Sequence, residues 1–183
     1  MALLTAGANI SLTAGNPLLS DIIVGFGWNI VQPSGPQIDL VPSAIMTNKD
    51  NVALSDEHFV FFNQLSSPDD AVRYVEGDDV EQIELSLRLL SQTPAEKVVF
   101  VVYVDPDVRN PGNFGAVRNA YIRIADKDNT EIVRFELPQK DATETALIFG
   151  EIYKHKTEWK FRAIGQGYTS GLQGVAKDYN VEL

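Results

Sequence analysis

Apolar and polar residues alternate with a period of two along most of the chain. Ala120-Tyr121-Ile122-Arg123-Ile124, Glu131-Ile132-Val133-Arg134-Phe135-Glu136-Leu137 and Glu158-Trp159-Lys160-Phe161-Arg162-Ala163-Ile164 each read as a strand with one wet face. Residues 82–87 repeat the pattern. Two runs, Val98-Val99-Phe100-Val101-Val102-Tyr103-Val104 and Phe59-Val60-Phe61-Phe62, are apolar throughout and suit strands covered on both faces. Turn signals punctuate the strands at Pro33-Ser34-Gly35-Pro36, Asn48-Lys49-Asp50-Asn51, Ser66-Ser67-Pro68-Asp69-Asp70 and Asn110-Pro111-Gly112-Asn113. Residues 172–179 form the single fair helix candidate. Many short strands with regular turns predict an all-β fold, a two-sheet β-sandwich with a short C-terminal helix. Trp28, Phe100, Phe135 and Phe161 are its expected core. No Pro/Ser-rich linker divides the chain, so residues 1–183 are expected to form a single domain.

A weak internal repeat suggests pseudo-duplicated halves. Ser43-Ala44-Ile45-Met46 leads through Lys49-Asp50-Asn51 to the strand at Phe59, and Ala120-Tyr121-Ile122-Arg123-Ile124 leads through Lys127-Asp128-Asn129 to the strand at Ile132. An acidic stretch follows in each copy.

Charge changes the picture. Residues 1–96 carry three basic and thirteen acidic side chains, a net of −10, and residues 97–183 carry twelve of each. Such a field attracts cations and repels nucleic acid and anionic membrane, so no nucleic-acid partner is expected. No apolar run approaches the ~20 residues of a membrane helix, so membrane insertion is not expected either. The N-terminal residues lack the basic and apolar regions of a signal peptide. There is no cysteine, which excludes disulfides and thiolate metal sites and fits a reducing compartment.

The candidate chemistry is acidic. Gly77-Asp78-Asp79-Val80-Glu81 places three carboxylates within four residues, directly before a strand. Like charges so close repel, and the sequence offers few nearby cations to join them. A hard divalent ion such as Ca²⁺ would, since it takes 6–8 oxygen ligands. The alternative is a solvated acidic turn. On the metal reading, Asp79→Ala relieves repulsion and leaves metal-free stability unchanged or raised. Asp105-Pro106-Asp107, at the end of the buried strand, is equally compatible with a cation site and an ordinary turn.

Other motifs fall to simpler readings. Asp126-Lys127-Asp128-Asn129-Thr130 imitates an EF-hand start, but Glu131 stands where glycine is needed and Leu137 where glutamate is needed, so it reads as a hairpin turn. Gly25-Phe26-Gly27-Trp28 lacks the third glycine and the following helix of a phosphate loop, and suits a bulge or close backbone approach. His58 and His155 sit in no nucleophile motif and read as strand residues, so an enzyme is not expected.

Residues 143–153, Thr143-Glu144-Thr145-Ala146-Leu147-Ile148-Phe149-Gly150-Glu151-Ile152-Tyr153, run into Glu158-Trp159-Lys160-Phe161-Arg162-Ala163-Ile164-Gly165-Gln166-Gly167-Tyr168 and Gly171-Leu172. This block closely resembles the TerD family of tellurium-resistance and stress proteins. Ile10-Ser11-Leu12-Thr13, Gly25-Phe26-Gly27-Trp28, Asp39-Leu40, Phe61-Phe62-Asn63, Ser67-Pro68-Asp69, Gly77-Asp78-Asp79, Glu81-Gln82-Ile83 and Phe114-Gly115-Ala116-Val117-Arg118-Asn119-Ala120 agree in order. The resemblance implies a Ca²⁺-binding β-sandwich in the cytoplasm that resists tellurite and other chemical stress. It implies a binding or scaffold protein, with calcium and other stress-system proteins as partners. The family's metal positions carry over to Asp39, Asp78, Asp79, Glu81, Asp105 and Asp107, with Asn63 as an amide-oxygen donor and Asn29 where the family has Asp. Three departures, Asn29, Val41 and Val80, each replace a family Asp. One or two sites, with binding weakened by the lost carboxylates, are therefore the expectation. The alternative is a metal-independent interaction module with degenerate calcium sites.

Overall fold

The computed structural model describes residues 2–30, 39–77, 79–107, 112–138 and 143–183. The described strands are β1 (Ala2–Leu4), β2 (Asn9–Ser11), β3 (Asp21–Ile30), β4 (Leu40–Thr47), β5 (Phe59–Val60), β6 (Val72–Val75), β7 (Glu81–Ser86), β8 (Lys97–Val104), β9 (Val117–Asp126), β10 (Glu131–Glu136), β11 (Ala146–His155) and β12 (Glu158–Tyr168). Two helices join them, the single turn α1 (Leu87–Leu90) and α2 (Gly171–Tyr179). The strands form two six-stranded sheets, β1-β10-β9-β3-β7-β6 and β2-β12-β11-β8-β4-β5. Neighbours are antiparallel except β1, which runs parallel to β10 with Ala2 opposite Val133.

The burial of β8 follows from its place. It lies between β4 and β11, and its alternate residues serve two different interiors. Val98, Phe100, Val102 and Val104 face the core between the sheets, while Val99, Val101 and Tyr103 face a second apolar layer with Val175, Ala176 and Tyr179 of α2. A strand covered on both faces needs no polar alternation. Among the described residues sheet one has no such layer, and Tyr121, Arg123, Arg134 and Glu136 of β9 and β10 face outward.

Phe100, Phe135 and Phe161 are fully buried, with Phe26 and Phe149 packed among them. Trp28 is only partly buried, at the end of β3. The expectation for residues 59–62 is corrected. Only Phe59 and Val60 pair, on the edge of sheet two; the chain then turns, and Phe62 is 47% exposed. His58 is also not a strand residue. It sits on a 3₁₀ turn and contacts Asp69 at 3.3 Å, whereas His155 does end β11.

The two Lys-Asp-Asn turns share their geometry. Asn51 and Asn129 both adopt left-handed backbone, with φ of 62° and 64°, which asparagine tolerates better than most residues. β4 enters the first and β9 the second, so the same device recurs once in each sheet.

Candidate cation site and the acidic loop

Gly25 and Gly27 alternate along β3 on the outer face of sheet one. Across the ladder on β9 they lie opposite Arg123 and Tyr121. The absence of two side chains leaves a trough, and the neighbours fill it. The Tyr121 ring lies over Gly27, and the Asp79 carboxylate lies over Gly25 so closely that a Cβ there would sit 2.2 Å from Asp79 Oδ2.

Asp79 is held in that seat by three side-chain donors. Arg123 Nε donates to Oδ1 at 3.0 Å, Arg123 Nη2 to Oδ2 at 2.8 Å, and the Tyr121 hydroxyl to Oδ1 at 2.8 Å. The side chains of Arg123 and Asp79 are 8% and 6% exposed. Arg123 also donates to Asn129 Oδ1 at the β9–β10 turn. The hydrogen bond to Asp79 pushes the Arg123 pKa up, outweighing the opposing effect of burial. This fork geometry is the strong form of arginine–carboxylate contact. The sequence offers few cations near the loop, and the one that joins Asp79 comes from 44 residues downstream, brought by β9.

Glu81, two residues on, meets a different environment. Its Oε2 accepts from the Tyr74 hydroxyl at 2.8 Å. Burial raises the Tyr74 pKa strongly, and Glu81, Tyr103 and Asp39 raise it further. Tyr103 is raised by burial, then by Asp105 and Asp107. Among the described residues no cation opposes either shift. Tyr121 differs: burial and Asp79 raise it, but Arg134 and Arg123 pull it down. Four carboxylates, Asp39, Glu81, Asp105 and Asp107, thus act on the half-buried phenol of Tyr74 in sheet one and the buried phenol of Tyr103 in sheet two. The Asp39 carbonyl accepts from the Asp105 N–H at 2.8 Å, which ties the entry of β4 to the exit of β8. Asp105 Oδ1 accepts from the Asp107 N–H at 2.9 Å, a side-chain turn that fixes this corner.

Asn29 and Asn63 are exposed, the first on β3 opposite Arg118 and the second in the turn after β5. Asp78 lies outside the described residues. Among the described residues no three His, Cys, Asp or Glu side chains stand together as a group able to hold a metal. Asp79 does not suit a metal, because both its oxygens already accept from Arg123 and Tyr121. The other four acids have hard oxygens of the right chemistry but do not form a ready cage. Sequence reasoning missed Arg123, Tyr121 and Tyr74. The signal for the first two was the glycine pair in β3, whose spacing of two marks a trough on one face.

The TerD domain family model matches residues 1–179. The chain belongs to the TerD family. It is 37% identical to a tellurium resistance protein TerD from Serratia marcescens, over 97% of this chain and 96% of that protein. It is 36% identical to general stress protein 16U from Bacillus subtilis (strain 168), over 98% and 97%. The fold matches the crystal structure of a homologue of telluride resistance protein TerD from Streptomyces coelicolor A3(2), with a TM-score of 0.65 and 20% identity over 86% of this chain and 95% of that one. TerD relatives thus span proteins named for tellurium resistance and for general stress, and this chain matches both along nearly its full length.

Proposed function

We propose that this TerD-family chain is a non-enzymatic binding protein of tellurite and chemical stress resistance that takes Ca²⁺ at the corner formed by Asp39, Glu81, Asp105 and Asp107. The observation that carries this reading is the joining of Asp39 and Asp105 at the β4–β8 corner, where four carboxylates act on half-buried Tyr74 and buried Tyr103 and no described cation opposes them. Ca²⁺ would supply the missing positive charge there, and carboxylate oxygens are its preferred ligands. Asp79 is not a ligand on this reading; it is the arginine's partner. Because the four acids do not stand as a preformed group, binding is coupled to drawing their loops together, and affinity is weak. A cytoplasmic location and other stress-system proteins as partners complete the proposal.

A second reading is favoured by the Arg123–Asp79 clamp. There a built-in guanidinium does for the acidic loop what a metal would, and the chain acts as a metal-independent interaction module. Calorimetric titration of Ca²⁺ into chelator-treated protein separates the two. The calcium reading expects saturable uptake that disappears in Asp39→Asn/Asp105→Asn. No heat and no thermal shift at millimolar Ca²⁺ would falsify it in favour of the second.

A further inference from the structure

The outer face of sheet one holds a cavity of about 600 Å³ next to the trough, lined by Trp28, Val80, Arg118, Tyr121, Arg134 and Leu137 among others. Its size falls within the range of small-molecule pockets. A bulge builds it. Gly27 pairs with Tyr121 and Asn29 with Arg118, so β9 carries one more residue than β3 between these pairs, and Asn119 takes a left-handed φ of 55° there. Bulges re-aim side chains next to functional sites.

Three arginines lie on this part of the sheet, and they are not equivalent. Arg123 is neutralised by Asp79, and Arg134 by Glu131 at 2.7 Å. Arg134 is further fixed by stacking over Tyr121, with its guanidinium 4.2 Å from the ring centre. Arg118 has no carboxylate partner among the described residues. Its Nη1 donates to the carbonyls of Gly115 and Val117, at 2.7 and 3.0 Å, which anchors the group without cancelling its charge. Its Nε and Nη2 have no partner among the described residues. Glu136 also lines the cavity, but it is exposed, so water screens its charge more than that of half-buried Arg118. Trp28, Val80 and Leu137 supply apolar wall, beside the neutral amides of Asn29 and Asn119. Val80, 55% exposed, is otherwise unexplained at a position that precedes a strand.

We infer that this cavity binds a small oxyanion carried on a flat apolar body, with a carboxylate or phosphate head on Arg118 and the body against Trp28, Tyr121 and Val80. Arginine matches both heads by its planar fork of donors, and aromatic walls suit a flat body. The site is independent of the calcium corner.

The test titrates benzoate and phenyl phosphate, with inorganic phosphate alongside, into the intact protein by saturation-transfer NMR and tryptophan fluorescence. Trp28 lines the cavity, while Trp159 is buried with its Nε1 on Ser91 and reports background. Saturable binding of at least one aromatic probe is expected, with quenching of Trp28. Arg118→Gln is expected to weaken it tenfold or more. Val80→Asp, at an exposed position that leaves the core intact, is expected to weaken it several-fold by repulsion. Absence of binding by both aromatic probes at millimolar concentration overturns the inference. So does affinity unchanged in both variants, or inorganic phosphate binding as tightly as phenyl phosphate, since the apolar wall would then contribute nothing.

Discussion

Asp79 and Glu81 stand two residues apart in one loop, yet their carboxylates have opposite fates. Asp79 lies in a glycine-floored seat and is neutralised by Arg123. Glu81 meets a phenol and shares its neighbourhood with Asp39, while no described cation answers it. The difference teaches that charge density along a sequence does not reveal which charges are already balanced. That depends on which strand the sheet lays alongside.

The contrast yields an ordered set of outcomes. Removing Asp79 is the most damaging change. Asp79→Ala strands a buried guanidinium and is expected to cost about 3–5 kcal/mol, equally in chelator and in Ca²⁺. Reading the loop as mere like-charge repulsion predicts the opposite sign, and denaturant melts in the two buffers distinguish them. Arg123→Met together with Asp79→Ala should recover part of the loss, since no charge is left unpaired.

At the corner the sign reverses. Asp39→Asn/Asp105→Asn should leave metal-free stability unchanged or slightly raised, because it removes negative charge that no described cation opposes. The same variant should lose the Ca²⁺-induced gain, about 2.7 kcal/mol at a hundredfold excess over Kd, as read by thermal melts.

Alkaline titration probes the same asymmetry. Folding raises Tyr74, Tyr103 and Tyr179, the last to about 12, above the ordinary value of 10.0. The folded state therefore keeps phenolic protons that the unfolded chain releases. Their contribution to stability is complete below pH 10 and is lost as pH climbs through the folded values, by about 1.4 kcal/mol per pH unit for each group still protonated only in the fold. Unfolding followed by circular dichroism should begin above about pH 10, and the part of the tyrosinate absorbance that Tyr74→Phe and Tyr103→Phe remove should appear with it. If that part forms near pH 10 without unfolding, this account of the corner fails.

The smallest effect is expected at Val80. Its exposure places Val80→Asp within about 0.5 kcal/mol of the parent in chelator. A larger loss would mean that Val80 packs as a strand-entry residue and lines no open cavity.

Much of the fold was legible because its signal is local. The apolar run at residues 98–104 is β8 less its first residue, since a run of apolar side chains bounded by turns has little else to be. The helix at residues 172–179 is α2 with one residue added. Residues 59–62 misled because an apolar run reports stickiness and not pairing: β5 lies on a sheet edge, and only two of the four residues find a partner strand. The site was legible only in its acids. Asp39, Glu81, Asp105 and Asp107 are named by composition and resemblance, but that Tyr74 and Tyr103 gather them follows from two sheets meeting. Arg123 lay hidden for the same reason: its distance from Asp79 is long in sequence and one hydrogen bond in space.

The N-terminal strands carry a consequence for biosynthesis. β1 pairs only with β10 and β2 only with β12, with Ile10 opposite Phe161. Each must wait for a strand far downstream in the chain before it finds its place. Both sheets depend on such distant pairings, so the protein should close slowly, as chains dominated by them do. Until then the edges of β10 and β12 stand open, and a crowded, stressed cell is where such edges are most exposed to the wrong neighbour.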